Sequence, residues 1–107
     1  MAIAADQRRW GRIDLARRTA DRMLALTRLL IQRSPDDPSA HLLLADAYQQ
    51  INKNAWQVND RAAILHNLEL AIAANQRALV LDPNSELAHH AMDRRQRRLK
   101  DLLGWQP

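Results

Sequence analysis

The sequence predicts an all-α protein made of antiparallel helical hairpins, an array of about four helices in one domain over residues 1–107. Apolar residues recur at spacings of three and four along most of the chain, which is the period of an α-helix. Aromatic residues make up only 4% of the sequence and Phe is absent, so the core must be mainly Leu, Ile and Ala, as is typical of helices packed on helices. Proline-containing turns interrupt the periodic runs at Pro35 and Pro83.

The first helix is expected to begin near Asp6 and to end at Arg33. Gly11 lowers helix propensity near its start, so residues 1–11 are expected to fray or bend. Ser34 precedes a proline, and a residue in that position disfavours helical geometry. The apolar stripe of this helix comprises Ile13, Ala16, Ala20, Met23, Leu24, Thr27, Leu30 and Ile31.

The second helix is expected to begin at Pro38, because Asp37 can cap the free N–H groups and proline suits the first helical position. It should end at about Lys53 or Trp56, the latter lying at the tip of the hairpin. Its apolar positions are His41, Leu44, Ala45, Tyr48 and Ile51.

The third helix is expected from about Arg61 to Leu81, capped by Asn59 or Asp60. Its stripe comprises Ile64, Leu68, Ala71, Ile72, Asn75, Ala78 and Leu79.

The fourth helix follows Asp82 and Pro83, is capped by Asn84 or Ser85, and ends near Leu103. Gly104 fits the left-handed position just past a helix end, and Trp105 is expected to fold back on Leu99.

The two proline turns can be superposed with an offset of 48 positions, which places His41 on His89 and Leu44 on Met92. Self-similarity of helix pairs indicates a repeat architecture. Residues 78–83 and the small, large, small and aromatic side chains of Ala40, Leu44, Ala45 and Tyr48 resemble the tetratricopeptide repeat family. The resemblance covers roughly residues 24–99 and implies a tetratricopeptide-like array.

The period exceeds the usual 34 residues of that family by 14, inserted between Tyr48 and Ala71. Because 14 residues are close to four helical turns, two extra turns on each helix would keep the hairpin in register. Residues 53–56 and 60–63 are also similar to helical tails of large bacterial signalling proteins, including serine/threonine kinases. That similarity implies that the chain is a fragment of a longer bacterial protein.

The resemblance implies a function as a non-enzymatic protein-interaction or scaffolding module that binds a protein or peptide along the face of its first helices. An Arg-rich fourth helix suits an acidic partner, because guanidinium groups fork to carboxylates. The family's Lys- and Asn-bearing clamp for chaperone carboxylates is not reproduced. The corresponding groove positions are Ser39, Leu42, Asp46, Gln49, Gln50, Leu87, His90, Arg94, Arg97 and Arg98.

The net charge of +4 is unevenly distributed, and this keeps two other functions open. Residues 1–33 carry eight Arg against three Asp, whereas residues 34–85 carry three basic and six acidic groups. Such a distribution suits self-association into a homo-oligomer, or docking on a larger protein. Nucleic-acid binding through residues 94–100 ranks third, since no aromatic residues are interleaved for base stacking and Asp93 and Asp101 can pair within the helix.

No catalytic group, cofactor site or metal site is expected. His89 and Asp93 have a spacing that could place two metal ligands on one helix face, but no third ligand accompanies them, and His41 and His89 are expected to pack between helices. Cysteine is absent, which excludes thiolate sites. No apolar run approaches the about 20 residues that span a bilayer, and residues 1–5 are too short for a secretory signal, so a cytoplasmic protein without a membrane partner is expected.

Overall fold

The computed structural model describes residues 2–104, with the side chains of Arg12 and of Asp14 onward. This part of the chain forms α1 (Ala2–Arg33), α2 (Pro38–Gln57), α3 (Arg61–Leu81) and α4 (Glu86–Gly104), and contains no strand. Each helix packs against the next one in the sequence. The predicted all-α fold of packed helices is therefore confirmed.

α1 begins at Ala2, four residues before its predicted start, and continues through Gly11. One glycine costs about 1 kcal/mol in a helix, which the surrounding Ala, Arg and Leu residues offset. Of its predicted stripe, Ala20 and Thr27 are buried, while Ala16 and Leu30 are exposed. The stripe is only partly covered because the main helix contacts of α1 are with α2.

The start of α2 agrees with the prediction. The side chain of Asp37 accepts a hydrogen bond from the N–H of Ser39 at 2.9 Å, and Pro38 occupies the first turn. The helix ends at Gln57, one residue beyond the predicted limit. The local chemistry of the Asp-Pro pair was therefore sufficient to locate this helix start.

Asn59 and Asp60, the two alternative N-caps expected from the sequence, have different roles in the turn between α2 and α3. Asp60 is the N-cap, and its carboxylate accepts from the N–H of Ala63 at 3.1 Å. Asn59 has φ 56°, the left-handed conformation that Asn tolerates better than most residues. The chain reverses within these residues and brings α3 back antiparallel to α2.

Small side chains form the contact between α2 and α3. Ala45, Ala71 and Ala74 make a buried cluster, against which Leu44 and Tyr48 pack. Tyr48 and Ala71, the residues on either side of the 14-residue excess, thus lie in one contact between the two long helices. Alanine at these positions leaves little bulk between the helix backbones and favours their close approach.

Replacing Ala45 by leucine should test this close approach. Ala45 is fully buried, so extra methylenes must displace α3, and we expect the free energy of unfolding to fall by about 1–3 kcal/mol. Ala73→Leu is the matched control, since Ala73 lies on the exposed face of α3 and the change there should stay within about 0.5 kcal/mol. Equal urea midpoints for the two variants would contradict the packing described.

α4 is capped by Ser85, the second of the two candidates, whose Oγ accepts from the N–H of Ala88 at 3.2 Å. The expectation for Gly104 was wrong: it is the last residue of α4, and none of the described glycines has positive φ. Trp105 and the side chain of Trp10 lie outside the described residues.

Candidate functional site

A buried arginine joins α2, α3 and α4. Arg95 of α4 is only 6% exposed. Its Nη1 donates to Oδ1 of Asn75 on α3, and its Nη2 donates to Oδ1 of Asp46 at 2.9 Å and to Oε1 of Gln49 at 3.2 Å, both on α2. Asn75, itself fully buried, donates from Nδ2 to the carbonyl of Ala88 at 3.0 Å. One side chain therefore fixes the relative positions of three helices.

The hydrogen-bond partners of Arg95 offset only part of the free-energy cost of burying its charged side chain. A guanidinium group has five N–H donors, and removing its charge from water is costly unless those donors are satisfied. Asp46 supplies the opposite charge, but 57% of its side chain remains exposed, so the ion pair lies at the edge of a solvent-accessible space. Nε of Arg95 has no hydrogen-bond partner among the described residues.

That space is a cavity of about 290 Å³ between α2 and α4, with α3 as its floor. Its polar walls carry three cations besides Arg95, and its floor is apolar. The lining residues are Gln49, Asn52, Lys53, Trp56, Asn67, Leu68, Ala71, Ala91, Arg94, Arg95 and Arg98.

A second, wider cavity of about 750 Å³ continues the first toward the end of α4. Trp56, Arg94 and Arg98 line both cavities, so the two cavities are adjacent. The guanidinium carbon of Arg98 lies 5.1 Å from the centre of the Trp56 ring, a cation–π distance that holds both side chains at the junction. The second cavity is lined by Trp56, Asn59, Arg61, Ile64, Arg94, Arg97, Arg98, Asp101 and Leu102.

We call these two adjacent cavities together the basic groove. Their lining contains six cationic side chains and one acidic side chain, Asp101. Arg61 is bound within the chain, since its Nη2 donates to the carbonyl of Leu102 at 2.9 Å. The excess of cations favours a negatively charged ligand, and the apolar side chains of the floor favour apolar groups on that ligand. The cationic residues are Lys53, Arg61, Arg94, Arg95, Arg97 and Arg98.

Four of the ten groove positions expected from the sequence line the basic groove: Gln49, Arg94, Arg97 and Arg98. Asp46 lies beside it and is bound to Arg95. The other five are not among its lining residues. Gln50 lines a separate cavity of about 370 Å³ between α1 and α2. Ser39, Leu87 and His90 are exposed and Leu42 is half-buried, all outside both cavities.

Sequence reasoning did not place thirteen of the seventeen lining residues in the site, and it also missed Asn75, which binds Arg95. Asn75 was assigned to the apolar stripe of α3, where a polar residue signals a buried hydrogen-bond partner. Arg95 follows Ala88, Ala91 and Met92 at helical spacing, so its position on the buried face of α4 could have been recognised. Asn52, Lys53 and Trp56 gave no comparable signal, since only the approach of α4 makes them neighbours of Arg94 and Arg98.

His41 and His89, the superposed histidines, make the same contact in the two turns. Nε2 of His41 lies 2.8 Å from the carbonyl oxygen of Pro35, and Nε2 of His89 lies 2.7 Å from that of Pro83. Since a carbonyl oxygen only accepts, each Nε2 must donate, which also occupies it against metal coordination. The contact repeats with the 48-residue offset and gives the two turns equivalent geometry.

Among the described residues, no group of three or more His, Asp or Glu side chains is arranged to hold a metal ion. None of the described helices is both long and apolar enough to cross a membrane. Neither a protein-family model, nor a curated protein, nor a solved structure matches the chain.

Proposed function

We propose that this chain is a non-enzymatic protein-interaction module whose basic groove binds an acidic segment of a partner protein. The observation that carries the proposal is the gathering of four exposed cationic side chains, Lys53, Arg94, Arg97 and Arg98, around the basic groove, while Arg61 and Arg95 are already bound within the chain. Like charges at short range repel one another and destabilise the fold that holds them together. A bound segment of opposite charge would relieve this repulsion.

The groove favours a partner segment that combines carboxylates with apolar side chains. Leu68, Ala71 and Ile64 form the floor and supply apolar contact, while Arg94 and Arg97 present forked donors on the α4 rim. Bidentate Arg–carboxylate pairs add direction as well as attraction. The equivalent turns at His41 and His89 support the tetratricopeptide-like interpretation of the array, in which such a surface serves to bind proteins.

The proposal is tested by selecting binders from a displayed library of random peptides. We expect the selected sequences to be rich in Asp, Glu and leucine-like residues. Their affinity should fall about tenfold in the Arg94→Gln/Arg97→Gln variant, because two charge-assisted contacts are removed. The Arg28→Gln/Arg77→Gln variant is the matched control, as it removes the same charge from exposed positions outside the basic groove.

Three outcomes would contradict the proposal. The selected peptides could lack acidic enrichment, or the two double variants could lose affinity equally. Duplex or single-stranded nucleic acid could also bind more tightly than any selected peptide, with an affinity that falls steeply with salt and hardly depends on sequence. This last outcome would support phosphate binding through the same arginines.

Self-association or docking through α1 is a second candidate, favoured by a separate observation. Leu15, Leu26, Leu29 and Leu30 are 47–62% exposed on α1, and the last three lie on one side of the helix at spacings of three and four. Exposed leucines clustered in this way are typical of interfaces. A particle mass in light scattering that rises with concentration, and that falls to the monomer value in Leu26→Glu, would favour this candidate.

A further inference from the structure

We propose that the face of α1 carrying Leu15, Leu26 and Leu30, the leucine face, binds an acidic amphipathic helix of another protein. The proposal develops docking through α1, the second candidate above, and does not depend on the basic groove. Successive residues of a helix are about 100° apart, which places the three leucines within about 60° of one another around the axis of α1. They are 60%, 62% and 47% exposed, so they form one apolar face open to a partner.

The 48-residue offset between the two proline turns indicates which kind of element would cover the leucine face. It places Thr27 on Asn75, and both are buried, Asn75 being hydrogen-bonded to α4. It also places Leu26 on Ala74, which is buried in one cluster with Ala45 of α2. The side of α3 that corresponds to the leucine face is therefore covered by a helix. By this equivalence, the leucine face fits a helix that lies on α1 as α2 lies on α3.

The charges around the leucine face specify an acidic partner. Three exposed arginines lie within about 40° of Leu26 around the helix axis: Arg12, Arg22 and Arg33. Asp14 and Asp21 lie more than about 100° from Leu26, so they do not neutralise this face. A helix with leucines on one side and carboxylates along their borders would therefore match both the apolar and the charged groups of α1.

The leucine face also borders the cavity of about 370 Å³ between α1 and α2. Arg12, Leu15 and Thr19 line this cavity from α1, and Lys53 lines it from α2. None of the residues that line it is acidic. A carboxylate at the border of the bound helix can therefore meet cations of two helices at this end of the leucine face.

A second copy of the chain does not supply such a helix, because none of the four described helices has a net negative charge. α2 carries one acidic residue, Asp46, against Lys53, and α3 carries Glu69 against two arginines. α1 and α4 are both basic. The other acidic residues of residues 34–85 lie between the helices, at Asp36, Asp37, Asp60 and Asp82. The bound helix is therefore assigned to another protein.

The test uses a covalently stapled helical peptide with leucine along one side and glutamate along both borders. We expect it to bind in fluorescence anisotropy, whereas the same peptide with lysine in place of glutamate should not. In Leu26→Gln its affinity should fall about tenfold, because an apolar contact is lost at unchanged charge. Leu87→Gln is the matched control, since Leu87 is 70% exposed on α4 and its replacement should leave the affinity unaltered.

Two double variants distinguish the leucine face from the basic groove. Arg22→Gln/Arg33→Gln should weaken binding of the glutamate peptide about tenfold, whereas Arg94→Gln/Arg97→Gln should leave it unchanged. All four arginines are exposed, so equal urea midpoints are expected for both variants and the unaltered protein. The reverse pattern would place the peptide in the basic groove, in which case this inference is wrong and the proposed function stands.

Other results would overturn the inference alone. The glutamate peptide could fail to bind, or the lysine peptide could bind equally well. Vesicles of anionic phospholipid could bind in its place and lose binding in Leu26→Gln, which would assign the leucine face to a membrane surface. A particle mass that rises with concentration and is restored to the monomer value by Leu26→Gln would assign it to a second copy. The library selection for the basic groove is unaffected by any of these results.

Discussion

Replacing Leu68 by alanine is expected to lower the free energy of unfolding by about 2–5 kcal/mol. Leu68 is 5% exposed, lies in the middle of α3 and forms part of the groove floor. Truncation removes buried apolar surface and leaves a void that the long α2–α3 hairpin cannot fill without moving its backbone. Since small domains are stable by only about 5–15 kcal/mol, this change should be evident in a urea titration.

Leu87→Ala is the matched control for this substitution. Leu87 is 70% exposed on α4, so the same chemical change there should alter stability by less than about 0.5 kcal/mol. In thermal unfolding each kcal/mol corresponds to a shift of about 4–8 °C for a domain of this size. Equal midpoints for the two leucine variants would mean that α3 is not covered by its neighbours as described.

Asn75→Ala is expected to cost about 2–3 kcal/mol, although it removes only a few atoms. Asn75 accepts a hydrogen bond from Arg95 and donates one to the carbonyl of Ala88. Without it, the buried guanidinium loses one of its acceptors, and a charged donor left without a partner in the interior is costly. In chemical denaturation, Asn75→Ala should lower the free energy of unfolding much more than Gln76→Ala does. Gln76 is the exposed next residue on the same helix.

A paired substitution distinguishes the loss of this hydrogen bond from a general loss of packing. In Asn75→Leu/Arg95→Met the buried charge and its acceptor are removed together, and we expect much of the stability lost in Asn75→Ala to return, because apolar groups then fill the site. Acidic peptides should nevertheless bind less well to the double variant, since the groove has lost Arg95. If Asn75→Ala costs no more than Gln76→Ala, the network does not stabilise the packing of α3 on α4.

These stability experiments also bear on the proposed binding site. Arg95 binds residues of α2 and α3 with two of its nitrogens and also lines the narrower cavity of the basic groove. A substitution of Arg94 or Arg97, both exposed, should change binding without a comparable loss of stability. Comparing the two kinds of variant separates the residues that build the groove from those that contact its ligand.

The sequence by itself determined the helices and most of their ends. Asp37, Asp60 and Ser85 act through hydrogen bonds to N–H groups two or three residues away, so their effect is contained in the local sequence. The buried face of α3 also followed from periodicity, because Ile64, Leu68, Ala71 and Ala78 recur at the helical spacing. Gly104 was assigned wrongly since a glycine permits a left-handed end but does not require one.

Only the tertiary structure decided where the candidate site lies. Arg95 meets Asp46 and Gln49 across 49 and 46 residues of chain, and no local rule states which faces of α2 and α4 will approach each other. The same packing separates Gln49 from Gln50. These two residues are adjacent in the sequence of α2, but Gln49 lines the cavity beside α3 and α4, whereas Gln50 lines the cavity beside α1. Successive side chains of a helix point about 100° apart, so the way in which the helices pack decides which of two adjacent residues lines the basic groove.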